Sequence, residues 1–511
     1  MKYSESLIFS LIMLVASSSL VAARTNIPPL EASNYQNIPK TAEVSSYLEH
    51  IADGSREASV ITVGISAGGR PITAILLSKD KQFLRRNPGQ PDTMTVMLNA
   101  SQHGTESSGG EALQVVANNI LHGDLHHYLD SINFILIPIS NPDGRDRKKR
   151  VNDHGVNLST DYTLLSQPET QAMSNFIYQM QPDVMLDIHE SSLLKKSTLG
   201  AEGYLTDFEA QWEYANDPNI NPKLQAFARD EFLPTLLTNT NNDGVRASHY
   251  IGEITSTKQE IHNGGISLRN LRNFGGQNNA LSMLVENRLD LSTGDYPTPR
   301  NIKERVRKQV VCVDNFIKLA EQNRAVILGL VKNARLSPTE IVYLDTEYVL
   351  DEDNPTIKIP LRHIDSGKLE EITYPNATKI RAGLPLQLPN AYVVTKNQQL
   401  IQELLDKHHI AYTEVSTPTE VKAIVQHIEQ VQITPTHLGR AKVTSVLKED
   451  EKEITLQPGA LLISMDQPGA NLVPLFLDPR SSNSIFQDSN NTPLLTKGAA
   501  GKDFFIARLI N

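Results

Sequence analysis

From about residue 60 to residue 290, short β-rich runs alternate with stretches of helical periodicity. This alternation is typical of an α/β sheet covered by helices. A longer helix is predicted over Ile302–Arg335, broken near Gln322. The predicted strands of the sheet are Val60–Gly64, Thr73–Leu77, Thr93–Asn99, Ile132–Ile139, Val184–His189 and Leu281–Glu286.

The chain has 511 residues, and one hydrophobic core usually stops growing at roughly 250 to 300 residues, so two folded units are expected. After about residue 340 the apolar runs become short and alternating, and Pro, Gly and Asn separate them. That pattern predicts a mostly β domain with one small helix near Gln398–His408. We assign residues 24–335 to the α/β domain and residues 336–511 to the C-terminal β-rich domain.

The first 23 residues have the features of an export signal. Lys2 precedes an apolar run from Leu7 to Val21, and the small residues Ala22 and Ala23 follow. Serines interrupt the run, which is shorter than the ~20 residues that a membrane span needs. We therefore expect cleavage after Ala23, a periplasmic or secreted protein, and no stable membrane insertion of the mature chain.

The charge argues against one class of partner, and the cysteine content excludes two kinds of structural cross-link. The 48 basic and 58 acidic residues give a formal charge of -10, which is mild for this length and argues against a nucleic-acid partner. Cys312 is the single cysteine, so an intramolecular disulfide and a structural zinc site built from cysteines are both excluded. We expect Cys312 to be a buried core thiol.

Residues suited to chemistry stand at the ends of three predicted strands. His103 and Glu106 lie three residues apart in the loop after the third strand, a spacing at which both side chains converge on one ion in a tight turn. His189 and Glu286 each end a strand. Taken alone, each has a simpler interpretation, with His189 bonded to backbone and Glu286 paired with an arginine. Open α/β sheets place their binding crevice at the carboxyl edge, so the joint placement favours one site.

Two histidines and one carboxylate form a known catalytic zinc set that leaves a fourth position open. His103, Glu106 and His189 provide those ligand types, and Glu286 provides a free carboxylate. The metal in such a site polarises a carbonyl and lowers the pKa of a water, while the base moves a proton to the leaving amine. These residue types therefore indicate metal-assisted hydrolysis.

The motifs between about Ser45 and Leu289 resemble those of the zinc carboxypeptidases, typified by pancreatic carboxypeptidase A. The motifs that match, in the family's order, are His103-Gly-Thr-Glu106, Asn141-Pro-Asp-Gly144, Arg147-Lys-Lys-Arg150, Gly155-Val-Asn-Leu158 and Asp187-Ile-His189. The conserved order and the long gap before the last motif make the match more specific than any single motif. The resemblance implies a mixed, mostly parallel sheet flanked by helices, and a peptide or amide substrate.

The resemblance also implies a role for each site residue. His103, Glu106 and His189 would bind one zinc ion per chain, Glu286 would act as the general base, and Arg150 would stabilise the oxyanion. A fixed guanidinium aimed at the developing charge suits that task. The neighbouring basic residues Arg145, Arg147, Lys148 and Lys149 fit a solvated face equally well.

This sequence departs from the family's pattern around the substrate. The Asn-Arg pair that clamps a terminal carboxylate in the family is replaced by Ser159-Thr160, so these neutral residues are the candidate substrate contacts here. The aspartate that steadies the first zinc histidine is replaced by Asn157, whose amide oxygen can still accept the imidazole proton.

Two further substrate residues are candidates by position. Arg272, or Arg269, lies in a glycine-flanked loop before the Glu286 strand and could replace the missing clamp, although both also fit an exposed surface. Tyr250 is the candidate for the family's substrate-side tyrosine.

Three functions remain compatible with the sequence. The first is an exported zinc metallopeptidase of carboxypeptidase type. The missing Asn-Arg pair favours a second, a zinc amidase or deacylase that acts on a small or cell-wall substrate. The third is a non-catalytic zinc-binding protein that keeps the fold, and the presence of Glu286 together with all three ligand residues argues against it.

Overall fold

The structure, a computed structural model, describes residues 26–191, 199–288, 301–337, 339–435, 441–487, 495 and 497–510. The predicted export signal lies outside the described residues. We refer to residues 26–337 as the N-terminal half and to residues 339–510 as the C-terminal half. None of the helices within the described ranges has the length and apolar character needed to cross a membrane.

All six predicted strands of the N-terminal half are present, and the predicted long helix is divided at Asn323. The strands are β1 (Ala58–Ile65), β2 (Pro71–Leu77), β3 (Met94–Ala100), β4 (Ile132–Ile137), β5 (Val184–Ser191), β6 (Tyr204–Thr206), β7 (Ala210–Tyr214), β8 (Ala247–His249) and β9 (Leu281–Arg288). The helices are α1 (Pro29–Ala32), α2 (Thr41–Ala52), α3 (Ser108–His122), α4 (Pro142–Arg147), α5 (Pro168–Met180), α6 (Pro222–Phe227), α7 (Leu233–Asn242), α8 (Leu271–Gln277), α9 (Ile302–Gln322) and α10 (Arg324–Leu336).

One eight-stranded sheet has the order β1-β2-β4-β3-β5-β9-β7-β8. Its central strands β4, β3, β5 and β9 are parallel, whereas the pairs β1-β2, β2-β4 and β7-β9 are antiparallel. Parallel neighbours require crossover connections, which α3 and α5 provide. The predicted mixed, mostly parallel sheet flanked by helices is therefore confirmed.

Helices cover both faces of the sheet. On one face, α3 and α9 enclose a core in which the rings of Trp212 and Phe316 are stacked with centroids 6.2 Å apart. On the other face, Phe176 of α5 and Phe274 of α8 pack in a second core with Met185 of β5. Strands β3 and β4 are buried throughout, which explains why their sequences are continuous apolar runs.

The C-terminal half consists mostly of strands, as predicted, and has its own core around Tyr392, Leu405 and Phe476. The predicted small helix is α11 (Gln398–Lys407), and α12 spans Leu472–Leu477. The boundary at residues 335 and 336 stays a prediction. The strands are β10 (Ile341–Val349), β11 (Thr356–His363), β12 (Leu369–Pro375), β13 (Lys379–Gln387), β14 (Ala391–Val394), β15 (Thr413–Glu414), β16 (Thr419–Pro435), β17 (Ala441–Leu456), β18 (Leu461–Ser464) and β19 (Lys502–Leu509).

The two halves are joined by hydrogen bonds between their backbones. Strand β6 of the N-terminal half pairs with β11 of the C-terminal half. Ile261 donates its N–H to Pro375 O at 3.0 Å and accepts from Ala377 N at 2.8 Å. Nε2 of His408, at the end of α11, lies 2.9 Å from Thr163 O. The C-terminal half is therefore packed directly against the N-terminal sheet unit.

Candidate active site

His103 and Glu106 lie in the turn that leaves β3. The Glu106 N–H donates to His103 O at 3.0 Å and closes this turn. A Cβ atom at Gly104 would lie 1.9 Å from the carbonyl carbon of Gly144, so the close approach of the two backbones requires glycine. Asn141 caps α4 by accepting from Gly144 N at 2.9 Å, and its Nδ2 donates to the backbone of the turn at 3.0 Å. The Asn141–Gly144 motif thus begins a short helix that supports the site.

The side chains of His103, Glu106 and His189 face one another in a buried cluster. Nδ1 of His103 lies 2.7 Å from Oε1 of Glu106, and Nδ1 of His189 lies 2.9 Å from Oε2 of Glu106. The two Nδ1 atoms are 3.2 Å apart. Each residue is at most 3 % exposed. The structure therefore brings together the three predicted ligands, and their donor atoms could hold one metal ion.

The other nitrogen of each ring contacts an acceptor. Nε2 of His103 lies 3.0 Å from Oδ1 of Asn157 and 2.8 Å from Oγ of Ser159. Nε2 of His189 lies 2.9 Å from Oδ2 of Asp187. These contacts favour the tautomers with the proton on Nε2, which direct both Nδ1 lone pairs toward the carboxylate of Glu106. Two lone pairs and an anion converging on one point fit a bound cation.

The two imidazoles differ in their electrostatic surroundings. Burial lowers the pKa of His103. Burial also acts to lower the pKa of His189, but Asp187 and Glu106 outweigh it and raise that pKa well above its ordinary value. Burial acts to raise the pKa of Glu106, yet the charges and hydrogen bonds of both histidines hold it well below its usual range. Glu106 is therefore an anion, which is the form in which a carboxylate binds a metal.

Glu286 lies near the end of β9, in register with His189 of the adjacent β5. Neighbouring strands are about 4.8 Å apart, and residues in register share a sheet face. The Glu286 side chain is partly exposed, while its Oε2 atom is covered and has no hydrogen-bond partner among the described residues. Loss of solvent raises the pKa of Glu286 to about 8, an effect that His189 opposes and Glu106 strengthens. An unpaired carboxylate beside the cluster is suited to accept a proton.

The arginines of the basic run Arg145–Arg150 differ in their burial and in their contact partners. Nη1 of Arg150 donates to Oε1 of Glu106 at 2.9 Å, while the Arg150 side chain is 54 % exposed. Arg145 is buried in an ion pair with Glu111, so it does not belong to a solvated face. Arg147 is 51 % exposed. Only part of the run is therefore solvated, and Arg150 alone among these three reaches the cluster.

Ser159 and Thr160, the candidate substrate contacts, both make hydrogen bonds within the protein. The Ser159 hydroxyl lies against His103 and also donates to Oδ1 of Asn157 at 2.9 Å. The exposed Thr160 hydroxyl donates to Asn157 O at 3.1 Å. Both lie in a single turn of 3₁₀-helix that follows Asn157, and this turn directs Ser159 at the imidazole. The Ser159 hydroxyl therefore contacts the first histidine, and the roles of Ser159 and Thr160 as substrate contacts stay predictions.

Arg272, another candidate for binding the substrate, also makes hydrogen bonds within the protein. Its Nη2 donates to Gly265 O at 2.6 Å and to Oδ1 of Asn216 at 2.9 Å, and the residue is buried. Its buried Nε has no hydrogen-bond partner among the described residues. The role of Arg272 as a carboxylate clamp stays a prediction. Tyr250 directly follows β8, and burial raises the pKa of its phenol, with the charge of Glu286 as the next contribution. The role of Tyr250 as the substrate-side tyrosine stays a prediction.

The sequence analysis assigned no role to Asp187 or Gln102. Asp187 accepts from His189, and Nε2 of Gln102 donates to both Asp187 oxygens at 2.7 Å. The i, i+2 spacing of Asp187 and His189 on a strand places them on one face, so this partner was accessible from the sequence. The role of Gln102 depends on the pairing of β3 with β5, which no local pattern reveals.

Comparisons with known proteins agree with this geometry. Residues 44–230 match the family model described as zinc carboxypeptidase. Carboxypeptidase 2 of Trichophyton rubrum is 20% identical over 435 residues, which cover 82% of this chain and 78% of that protein. The metallo-carboxypeptidase from Burkholderia cenocepacia is 16% identical, with a TM-score of 0.42, over 56% of this chain and 71% of that one. Carboxypeptidase A from Helicoverpa armigera is 15% identical, with a TM-score of 0.41, over 56% of this chain and 75% of that one.

The predicted resemblance is thus confirmed by the family match, and the buried His-Glu-His cluster lies within the matched residues. The match of residues 44–230 to the zinc carboxypeptidase model, together with the similarity to Carboxypeptidase 2, supports a zinc carboxypeptidase-like hydrolase.

Proposed function

We propose that this chain is an exported zinc metallopeptidase of carboxypeptidase type, in which His103, Glu106 and His189 bind zinc and Glu286 is the general base. The observation that carries the proposal is the convergence of three donor side chains beside an unpaired carboxylate on the adjacent strand. A zinc ion held there would provide Lewis-acid polarisation of a substrate carbonyl and activation of water. Export is supported by the signal-like sequence that ends at Ala23.

The chain's own residues have distinct tasks in this proposal. Glu286 takes a proton from water and delivers it to the leaving amine, for which its partial exposure and unpaired Oε2 are suited. Arg150 brings a guanidinium to the edge of the cluster, where it stabilises negative charge that develops on the carbonyl oxygen. Asn157 and Ser159 prevent the His103 ring from rotating away from the donor cluster.

The substitution Glu286→Gln tests the proposal, because it keeps the shape of the side chain and removes its basicity. We expect about one zinc per chain in both proteins by metal analysis, and a loss of peptide turnover of about 10²- to 10⁴-fold in the variant. The control Glu49→Gln changes an exposed glutamate of α2 and should leave turnover unchanged. Undiminished turnover in Glu286→Gln would exclude this residue as the base. Zinc binding without turnover of any peptide or acyl amide by the unmodified chain would favour the non-catalytic alternative.

A second candidate function is a zinc amidase or deacylase that acts on a small or cell-wall substrate. It is favoured by the neutral Ser159-Thr160, which replaces the Asn-Arg pair and offers no bidentate grip on a terminal carboxylate, and by the two protein acceptors of Nη2 of Arg272. Matched peptides with free and with amidated C-termini separate the two functions. A carboxypeptidase should cleave only the free form at an appreciable rate, whereas equal cleavage of both forms would favour the amidase.

A further inference from the structure

The loop of residues 261–270 leads into α8 and contacts β7, the strand that pairs with β9. The Gly264 N–H donates to Oε2 of Glu213 at 2.8 Å. Glu213 on β7 is in register with Leu284 on β9, and Leu284 is two residues before Glu286 on the same strand. Residues in register, and residues two apart on a strand, share a face of the sheet. The 261–270 loop therefore lies on the sheet face that carries Glu286.

Tyr348, on β10 of the C-terminal half, holds the centre of this loop. Its hydroxyl donates to Gly264 O at 2.6 Å and accepts from Nδ2 of Asn216 at 3.1 Å. Its ring is stacked on His262 with centroids 5.2 Å apart. Gly264 and Gly265 lack a Cβ atom, so the backbone of this part of the loop has little preference for one conformation. The position of the loop therefore depends on external contacts such as those of Tyr348.

Asn483, also of the C-terminal half, holds the end of the loop. Its Oδ1 accepts from Leu268 N at 2.8 Å and from Oγ of Ser267 at 2.9 Å. Asn483 is 3 % exposed, so these hydrogen bonds are shielded from water. Together with the backbone pairing of Ile261, the C-terminal half contacts the loop at its start, centre and end.

The N-terminal half holds the same loop from the opposite side through α8. Arg272 donates to Gly265 O, and Nδ2 of Asn273 donates to Gly265 O at 3.2 Å and to Ser267 O at 3.1 Å. A Cβ atom at Gly264 would lie 3.1 Å from the Tyr250 ring and 2.9 Å from the Arg272 guanidinium. The loop is thus held between the C-terminal half on one side and Tyr250 and helix α8 on the other.

We infer that the C-terminal half completes the substrate-binding wall of the active site, with Tyr348 and Asn483 as positioning residues that set the 261–270 loop beside Glu286. This inference rests on the proposed function. Tyr348 and Asn483 act through the loop and touch neither the donor cluster nor Glu286, so they control substrate affinity rather than the chemical step. The C-terminal half is accordingly part of the catalytic unit and not an appended module.

The substitution Tyr348→Phe tests this inference, because it removes only the hydroxyl that bonds Gly264. We expect KM for a cleavable peptide to rise about fivefold, as the loss of one hydrogen bond allows, with kcat changed less than twofold and zinc content unchanged. Tyr343→Phe is the matched control on the same strand, because Tyr343 contacts Asn219 through its backbone. That variant should keep the KM of the unmodified chain. A fall in kcat at constant KM, or an equal rise of KM in Tyr343→Phe, would overturn the inference.

Amide hydrogen exchange measures how firmly the 261–270 loop is held, and it does not require the protein to cleave a peptide. Residues 261–268 should exchange about fivefold faster in Tyr348→Phe and at the original rate in Tyr343→Phe, and Asn483→Ala should accelerate exchange at Ser267 and Leu268. If the unmodified chain cleaves no peptide, the proposed function fails while exchange still tests the positioning role. Unchanged exchange in both Tyr348→Phe and Asn483→Ala would exclude that role.

Discussion

Oγ of Ser159 lies 2.8 Å from Nε2 of His103, on the ring nitrogen that faces away from Glu106. Together with Asn157, this hydroxyl replaces a carboxylate as the acceptor for the imidazole proton. A neutral acceptor fixes the tautomer but raises the basicity of the ring less than an anion would. The imidazole of His103, the first candidate metal ligand, is therefore held by two neutral acceptors. These acceptors are also hydrogen-bonded to each other.

Removal of the Ser159 hydroxyl should weaken zinc binding. Partners of metal ligands typically contribute 10- to 100-fold to affinity, and Asn157 remains in Ser159→Ala, so we expect a loss of about tenfold. Competition with a chromogenic chelator measures this change. Thr160→Val is the control, because the Thr160 hydroxyl bonds only the backbone of Asn157 among the described residues. Equal zinc affinity of Ser159→Ala and the unmodified chain would show that Asn157 alone holds the ring.

Loss of the Arg150 guanidinium should slow the chemical step. Removal of one donor to a developing oxyanion typically lowers kcat by about 10²- to 10³-fold, and we expect Arg150→Ala to fall in this range with a smaller change in KM. Arg147→Ala removes an exposed arginine from the same run and should retain full activity. Zinc content must be measured in parallel because Arg150 also contacts Glu106. A large rise in KM at constant kcat would instead indicate that Arg150 binds the substrate.

Zinc removal should destabilise the folded chain. The donor atoms of His103, Glu106 and His189 are buried together, so an ion that binds the folded state alone adds about 2.7 kcal/mol of unfolding free energy at 100 times its Kd. Thermal unfolding with and without a chelator measures this effect, and re-addition of zinc should reverse it. Magnesium should not substitute, because it prefers oxygen ligands. Identical unfolding curves would contradict a zinc site at this cluster.

The burial of His408 should make the stability of the fold depend on pH. Burial lowers the pKa of His408 from its ordinary 6.5 to about 4. Between pH 6.5 and pH 4 the unfolded chain therefore binds more protons at His408 than the folded chain does. The free energy of unfolding has its full value above pH 6.5 and decreases as the pH falls toward 4. The loss amounts to about 3 kcal/mol.

Chemical denaturation between pH 7 and pH 4 checks the His408 prediction. His408→Gln should be less stable than the unmodified chain at pH 7 and should lose less stability on acidification. His127→Gln changes an exposed histidine and should retain the pH dependence of the unmodified chain. Parallel pH curves for His408→Gln and the unmodified chain would exclude His408 as the group responsible.

Much of the fold was predictable because its signals are local. The apolar runs that became β3, β4, β5 and β9 are continuous because both faces of these strands are covered by helices. Cys312 is buried, as expected for a single cysteine in an apolar helix face. The long helix was predicted with its break near Gln322, and α9 ends at that residue. The pairing of β6 with β11 was not predicted, because strands so far apart in the chain carry no signal of their partner.

Local residue types were also sufficient to predict His103, Glu106 and His189 as a ligand set and Glu286 as their neighbour. Their order along parallel strands implies one sheet edge, and hydrogen bonding of a parallel sheet brings those ends together. The partners of Ser159, Arg272 and Arg145 were decided only by tertiary structure. The type of each of these side chains allows hydrogen bonds with many different acceptors. Because hydrogen bonds are short and directional, only an acceptor in the right position can form one. The acceptor that lies within about 3 Å is selected by the packing of distant segments, which no local pattern encodes.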